Sequence, residues 1–414
     1  MSSSPNQPDR FVKPARFELR MSLIFAAVFL PLGVHLPYFP LWLEVNGFDA
    51  EQIAVILAAP MFLRVVTTPV ITAMADRAGD RANVLIAISV VSVLLSLGYF
   101  LPAGYGLVLA VSLALAVFWT PQSPLADALA LSGVRRFGSS YPGMRIWGSL
   151  SFLAATFIGG MILAASSAQA VPAMILAGLL ATLAAAVLSP RLGPPRRASP
   201  LSAVALQQDA PRLFNRYFLL FVAGTGIINA SHGFLFGFVS IYWKAIGISD
   251  GVIGMLWAWA VVAEVVIFML FKRLFGSVSA TGVLVVAGAA AILRWVAYPL
   301  IEPLGLGVPG FFGVQTLHAL STGLLLIGLQ KMIAETVPEE RTGAAQGVAY
   351  FSVGVSMAVV TLLSGSLYQW YGTGGFYFMA LVALAGLCLI LAAAAVRRPQ
   401  PQRAGPGGDT SDPR

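Results

Sequence analysis

Apolar residues run through this chain in blocks longer than a soluble domain can use. Residues 50–74 read AEQIAVILAAPMFLRVVTTPVITAM. About 25 residues at 1.5 Å each span more than the ~30 Å of a bilayer's hydrocarbon. Asp49 stands ready as an N-cap, with Gln52 at capping-box spacing. Arg64 lies at mid-depth in this run. An arginine there costs roughly 2.5–3.5 kcal/mol on insertion scales, so it should face a cavity or a partner rather than lipid. The run ends in a short polar turn, Asp76-Arg77-Ala78-Gly79-Asp80-Arg81.

Further blocks of the same kind follow, and only 10% of the 414 residues are charged, against about a quarter in ordinary soluble domains. The chain is a polytopic membrane protein. Its single cysteine, Cys388, excludes an intramolecular disulfide. Twelve spans are expected, at 18–43, 50–74, 83–102, 105–131, 143–166, 171–189, 215–243, 251–273, 277–300, 306–334, 343–368 and 375–396. Residues 190–214 are proline-rich and basic and divide the chain into six plus six. The expected organisation is a disordered tail over 1–17, a six-helix bundle over 18–189, a cytoplasmic linker over 190–214, a second bundle over 215–396, and a disordered tail over 397–414. The net charge of +8 could suggest nucleic acid, but the basic residues gather in alternate loops. With a cytoplasmic N-terminus, 21 of the 25 Lys and Arg fall on that side; Lys244 falls outside, and Arg64, Arg145 and Arg294 remain inside spans. Both termini are therefore expected in the cytoplasm, with no nucleic-acid partner.

Two hundred residues after Gly47, Ile53 and Arg64, the chain places Gly247, Ile253 and Glu264. Trp42 and Trp243 close the outer ends of the first and seventh spans, and Gly143 and Gly343 open the fifth and eleventh. This half-repeat suggests a parallel duplication about an axis along the membrane normal. On these features the chain resembles a major facilitator superfamily transporter. Asp76, Arg77, Gly79 and Arg81 match that superfamily's cytoplasmic gate motif, with Thr72 where glycine is usual and Asp80 where a basic residue is usual. A narrower resemblance rests on Pro124-Leu125-Ala126-Asp127-Ala128-Leu129, Tyr141, Arg145-Ile146-Trp147-Gly148-Ser149, Ala263-Glu264, Leu293-Arg294-Trp295 and Gln315-Thr316-Leu317-His318-Ala319-Leu320. These look like the 3-phenylpropionate transporter group, itself similar to lactose permeases and nucleoside:proton symporters. The resemblance implies an all-α membrane protein of twelve transmembrane helices in two pseudo-symmetric six-helix bundles, in a bacterial inner membrane and acting as a monomer. It also implies that Asp127 and Arg145 form a substrate-contacting pair.

Polar residues within spans mark the candidate site. Glu264 shares a helix face with Trp257, Ala260 and Phe268. Burial and a neighbouring arginine act oppositely on a carboxyl's proton, so Arg64 or substrate could switch it, unless Glu264 is a static partner of Arg294 or Arg64. Proton coupling is accordingly assigned to Glu264, Asp127 and His318. His318 shares its face with Gln315, Ser321 and Thr322, and His232 with Thr225 and Asn229. Thr120 and Ser123 extend the face of Asp127. The substrate-binding candidates are Arg64, Arg145, Arg294, Asn229, His232, Trp257, Gln315 and Gln346. His35, near Tyr38 and Trp42 at a span's outer end, reads as an interfacial anchor. Pro31, Pro37 and Pro40 should kink the first span. The glycine pairs Gly343/Gly347 and Gly254/Ala258 should let helices approach closely.

Three arginines against Asp127 and Glu264 leave the intramembrane charge at +1, which favours an organic anion held by Arg64 in a bidentate clamp. The expected activity is proton-coupled import of an aromatic carboxylate by alternating access. The alternatives are proton symport of a sugar or nucleoside, or proton-driven efflux. No metal-ligand spacing, nucleophile elbow or phosphate loop suggests an enzyme, and the expected energy source is the proton gradient, without a cofactor.

Overall fold

In a computed structural model, residues 13–102, 104–193, 215–337 and 342–396 are described. Residues 1–12 of the expected N-terminal tail, the expected C-terminal tail and most of the expected linker lie outside them, while Phe17, expected in the tail, opens the first helix. Every regular element among the described residues is helical. The first half comprises α1 (Phe17–Val45), α2 (Ala50–Arg77), α3 (Arg81–Ser96), α4 (Tyr105–Trp119), α5 (Gln122–Phe137), α6 (Tyr141–Ala165) and α7 (Val171–Val187). The second comprises α8 (Arg216–Ala230), α9 (Gly233–Ala245), α10 (Asp250–Phe275), α11 (Ala280–Ala297), α12 (Gly307–Thr316), α13 (Leu324–Thr336), α14 (Thr342–Tyr371) and α15 (Gly375–Ala395). Eleven stretches among the described residues are long and apolar enough to cross a membrane. The last, 51 residues long, contains both α14 and α15, separated by a 3-10 turn at Gly372–Gly374.

Three spans expected to be continuous are interrupted. α4 gives way to α5 at Thr120-Pro121, where proline removes a donor. α8 gives way to α9 at Ser231-His232, where Trp295 Nε1 donates to Ser231 Oγ at 2.8 Å. Between α12 and α13, residues Ala319–Gly323 form a π turn immediately after His318. α1, by contrast, stays a single helix through its three prolines. Pro31 and Pro37 strip the carbonyls of Ala27 and Gly33 of their helical donors. Thr182 Oγ1 donates to the first at 2.9 Å and Thr156 Oγ1 to the second at 3.0 Å, from α7 and α6. Both threonines are buried. Thr156→Val or Thr182→Val should therefore lower the Tm of the detergent-solubilised protein. A side-chain hydrogen bond in a membrane averages about 0.6 kcal/mol, but a carbonyl orphaned by proline adds a desolvation penalty of about 1–3 kcal/mol. An unchanged Tm in both variants would mean that these carbonyls find other donors.

The two halves meet through α2 with α14, α6 with α10, and α1 with α9. Their closest approach lies near the α1–α2 turn, called here the Asn46 end. A Cβ on Gly160 of α6 would fall 2.7 Å from the Asp250 carbonyl and 3.0 Å from Gly254 Cα. One on Gly365 of α14 would fall 2.6 Å from the Ala50 carbonyl. Tyr38, fully buried at the first crossing, donates to the Thr156 carbonyl at 2.5 Å. Gly254 thus packs as its spacing suggests. At Gly347 the expectation fails, because a Cβ there would meet open space. Toward the opposite, Arg81 end burial thins: α2 buries Ile53, Ala54, Ile56 and Ala58 but nothing from Ala59 to Met74, although a Cβ on Gly354 of α14 would still fall 3.0 Å from Val65. α10 repeats the pattern, with Ile267 the one buried residue beyond Ala260. The molecule is closed at the Asn46 end and splayed at the other.

Candidate functional site

A cavity of about 260 Å³ lies between the halves. α1 contributes Phe29, His35 and Leu36; α2 contributes Leu57, Met61 and Arg64; α4 and its junction with α5 contribute Trp119, Thr120 and Ser123; α9 and α14 add Phe236, Gly237 and Thr361. Arg64 is the one charged side chain on this wall. It makes no hydrogen bond or ion pair with any described residue, and the Arg64–Glu264 pair left open by the sequence does not form. A guanidinium has five donors and no acceptor, so an unpaired one beside a cavity is a ready site for an anion.

His35 corrects an expectation. It is no interfacial anchor, because Tyr38 and Trp42 are 0% and 2% exposed and the imidazole lines the cavity. Its ring stacks on Phe39 at 4.4 Å between centroids and meets Trp119 edge-on at 5.2 Å. Thr120 and Ser123 do reach the cavity, whereas Asp127 is turned aside and accepts from the Tyr141 hydroxyl at 2.9 Å. Arg145 lies over the Phe29 ring, its guanidinium carbon 4.1 Å from the centroid, and no Asp127–Arg145 ion pair forms within 4 Å. Tyr141 stands between them in the chain and occupies Asp127 in its place.

The second half holds a separate polar cluster. Arg294 on α11 is fully buried, and its Nη2 donates to Gln315 Oε1 at 2.5 Å. Its Nη1 lies 3.0 Å from His318 Nδ1. Arginine can only donate, so Nδ1 accepts and the imidazole proton sits on Nε2. That nitrogen faces Glu264 Oε2 at 3.6 Å, ion-pair range but beyond a hydrogen bond. A direct Glu264–Arg294 pair, the alternative left open by the sequence, does not form; His318 intervenes between the two. His232 Nε2 joins through Ser321 Oγ at 3.2 Å and Thr322 Oγ1 at 3.1 Å, and its Nδ1 meets the Asn229 carbonyl at 3.1 Å. Gln315 Nε2 donates to the Leu256 carbonyl at 3.1 Å, which together with Arg294 commits that amide to packing. Trp257 donates to Ser240 at 2.9 Å and stacks on Phe236, a cavity residue. Phe268, though exposed, shares the face of Glu264: a Cβ on Gly323 would meet Phe268 Cε1 at 3.2 Å and Glu264 Cγ at 3.3 Å. Gln346 donates to Gln330 at 3.2 Å, away from both groups. The charges summed from the sequence therefore do not share one chamber: Arg64 faces the cavity, and Arg145, Arg294, Asp127 and Glu264 stand off its wall. Phe29, Trp119, Phe236 and Thr361 had no sequence signal that separates a cavity wall from a lipid-facing or packed surface.

At the Arg81 end, Arg81 Nη2 pairs with Asp76 at 2.7 Å and Nη1 donates to Ser132 of α5 at 3.0 Å. Asp80 caps α3 through the Ala82 amide at 2.9 Å and accepts from the Gly193 amide at 3.2 Å. An acid at this position thus has a capping role that a basic residue would not fill. Arg77 is exposed, and Gly79 has open space around it.

Comparisons place this geometry in a family. The chain is 27% identical over 377 residues to the probable 3-phenylpropionic acid transporter of Escherichia coli (strain K12), covering 89% of this chain and 96% of that protein. It is 26% identical over 378 residues to the maltose permease of Geobacillus stearothermophilus, covering 89% and 92%. Among solved structures it resembles the nucleoside transporter NupG, with a TM-score of 0.73 at 14% identity over 92% of this chain and 98% of that one. The peptide-transporter-family structure PepTSo gives 0.72 at 10% identity, over 93% and 98%. These two likenesses establish the fold. The family and the relatives are transporters rather than enzymes, and the chain is a multi-pass protein of the plasma membrane. With the family's pattern matching from residue 18 to residue 379, the chain belongs to the MFS_1-like family.

Proposed function

We propose that this transporter imports an aromatic monocarboxylate together with a proton. The observation that carries this reading is Arg64: one unpaired guanidinium, the single charge on the wall of a cavity whose remaining lining is mostly aromatic and apolar, with a few uncharged polar groups such as Thr120 and Ser123. A carboxylate would take the guanidinium bidentately, and the ring would lie among Phe29, Trp119 and Phe236. The name of the E. coli relative agrees with that chemistry. A neutral sugar or nucleoside would leave Arg64 desolvated and unpaired, which disfavours the reading drawn from the maltose permease and NupG names.

We read the topology as twelve crossings in two six-helix halves, 18–189 and 215–396. The final 51-residue stretch would be about 77 Å long as one helix, more than twice a bilayer's hydrocarbon. On the distribution of Lys and Arg, both termini and the Arg81 end lie in the cytoplasm, so the splayed state opens inward. Transport then requires the halves to rock about the Arg64 site, with the Asp76–Arg81–Ser132 network bracing the first half's side of the inner gate. The protein acts as a monomer in the bilayer and draws its energy from the proton gradient. We assign the proton to the Glu264–His318 chain, with Asp127 as the second candidate.

The experiment is uptake into proteoliposomes with a panel of labelled aromatic acids, sugars and nucleosides, each with and without an imposed pH jump. A jump that makes the outside acidic should accumulate aromatic acids and leave sugars and nucleosides at equilibrium. Accumulation that follows voltage but ignores external pH would contradict one-to-one coupling, because a monoanion and a proton together carry no net charge.

A further inference from the structure

His232 and His318 come from different spans, yet their rings lie 6.0 Å apart between centroids, the first at the break between α8 and α9 and the second just before the π turn. Donor and acceptor rules fix both tautomers. The Asn229 carbonyl can only accept, so His232 carries its proton on Nδ1 and its Nε2 accepts. His318 is the reverse, its Nδ1 accepting from Arg294 and its proton on Nε2 toward Glu264. Thr322 Oγ1 lies between the rings, 3.1 Å from His232 Nε2 and 3.3 Å from His318 Nδ1. Arg294 already takes the single lone pair of that Nδ1, so the Thr322 proton points to His232. The hydroxyl oxygen keeps lone pairs with which to accept from His318. Ser321 reaches His232 Nε2 at 3.2 Å but meets only the main chain of His318.

Resting on the assignment of the proton to the Glu264–His318 chain, we propose that Thr322 and His232 are positioning residues that transmit that proton to the substrate cavity. The chain takes up one proton at His318 Nδ1, the ring nitrogen without a hydrogen, and Glu264 stays ionised as the counter-charge 3.6 Å from Nε2. Nδ1 then donates, and Arg294, which has only donors, can no longer be its partner. Thr322 Oγ1 accepts the new N–H while its own proton stays on the His232 side, so one N–H bond forms and no covalent bond breaks. Every hydrogen bond from His318 Nδ1 to the Asn229 carbonyl then runs in one direction, through Thr322 and His232. A charged donor makes the first of them stronger than a neutral one. His232 is where this pull meets the substrate. One turn on, Phe236 donates its amide to the His232 carbonyl at 3.0 Å, and the Phe236 ring lines the cavity. Proton and substrate thus bear on one short segment, and each changes the affinity of the other by the same factor. Among the described residues, Glu264 on α10 and Arg294 on α11 are the charged groups that face this pair of rings.

The test is equilibrium binding of 3-phenylpropionate to the purified full-length protein at two pH values, both high enough to keep the acid ionised. In the wild-type protein the lower pH should tighten binding by about tenfold, an ordinary size for coupling between two sites. In the isosteric Thr322→Val, and in His232→Phe, which keeps a ring edge-on to Trp295, the ratio of the two affinities should fall to about one. Thr322→Ser restores the hydroxyl and should restore the ratio, which a purely structural role for the methyl group would not do. The ratio is read within each variant, so a general loss of binding does not mimic it. A ratio that persists in Thr322→Val or His232→Phe, as titration of His35 on the cavity wall would give, overturns the inference and leaves proton-coupled import standing. A ratio still absent in Thr322→Ser overturns it too. Wild-type binding indifferent to pH overturns the assignment of the proton as well, and failure of the acid to bind at either pH overturns the carboxylate reading along with both.

Discussion

Arg64→Gln should weaken binding of 3-phenylpropionate by about a hundredfold or more, with the fold and the rest of the cavity intact. Truncating one partner of a desolvated charge pair costs about 2–5 kcal/mol, because the other charge stays buried without compensation. Here the other charge would be the substrate's own carboxylate, and the cavity wall offers it no second cation. Arg64→Lys should fall between, since an ammonium keeps the charge but not the planar fork that grips two oxygens. Isothermal titration of the two variants with the acid and with an uncharged amide of the same shape separates charge from shape. The amide should bind wild type poorly and be nearly indifferent to Arg64→Gln. A neutral-solute transporter would behave the other way: Arg64→Gln would leave acid binding within a few-fold, and a sugar or nucleoside would bind in its place.

Arg64 was legible in the sequence for an energetic reason. A charged side chain at mid-span has to be turned away from lipid, so its position alone announces a cavity or a partner. The apolar runs likewise gave the helices, and the Asp49–Gln52 capping box forms as its spacing suggests. Rotation and register between spans are a different matter. Glu264, Arg294 and His318 each stood out, yet their order, with the imidazole between the other two, depends on how α10, α11 and the π turn are placed side by side. The π turn itself left no distinctive mark, because small and hydroxylated residues such as Ser321, Thr322 and Gly323 are also common where continuous spans pack together. His35 differs from the sequence expectation because aromatic neighbours near a span's end look alike whether they face headgroups or a packed core. The cavity's rings were invisible for a similar reason: Phe29, Trp119 and Phe236 are as suitable against lipid as against a substrate. A one-dimensional pattern fixes what must be sheltered from lipid, but not which shelter it finds.

Glu264→Gln should abolish accumulation while sparing substrate-for-substrate exchange. Glutamine keeps the shape of the carboxyl but takes up no proton, and His318 remains an acceptor for Arg294. Exchange needs only that the loaded carrier reorient, with no net proton movement, so it reports that the variant is folded and binds. Net uptake is affected far more than by slowed kinetics. With a proton, the anion crosses as a neutral unit and each pH unit supplies about 1.4 kcal/mol, a tenfold accumulation. Without it, the anion crosses alone and works against the membrane potential. At 100 mV, negative inside, about 2.3 kcal/mol then opposes entry, so the internal level should settle roughly fifty-fold below the external one. The sign of the gradient therefore reverses. Proteoliposomes clamped at this potential with the outside made acidic read the two cases directly. Wild-type-like accumulation in Glu264→Gln would assign the proton to Asp127 or His318 instead. Loss of exchange along with accumulation would make Glu264 a structural partner of His318, holding the imidazole against Arg294 rather than exchanging a proton with it.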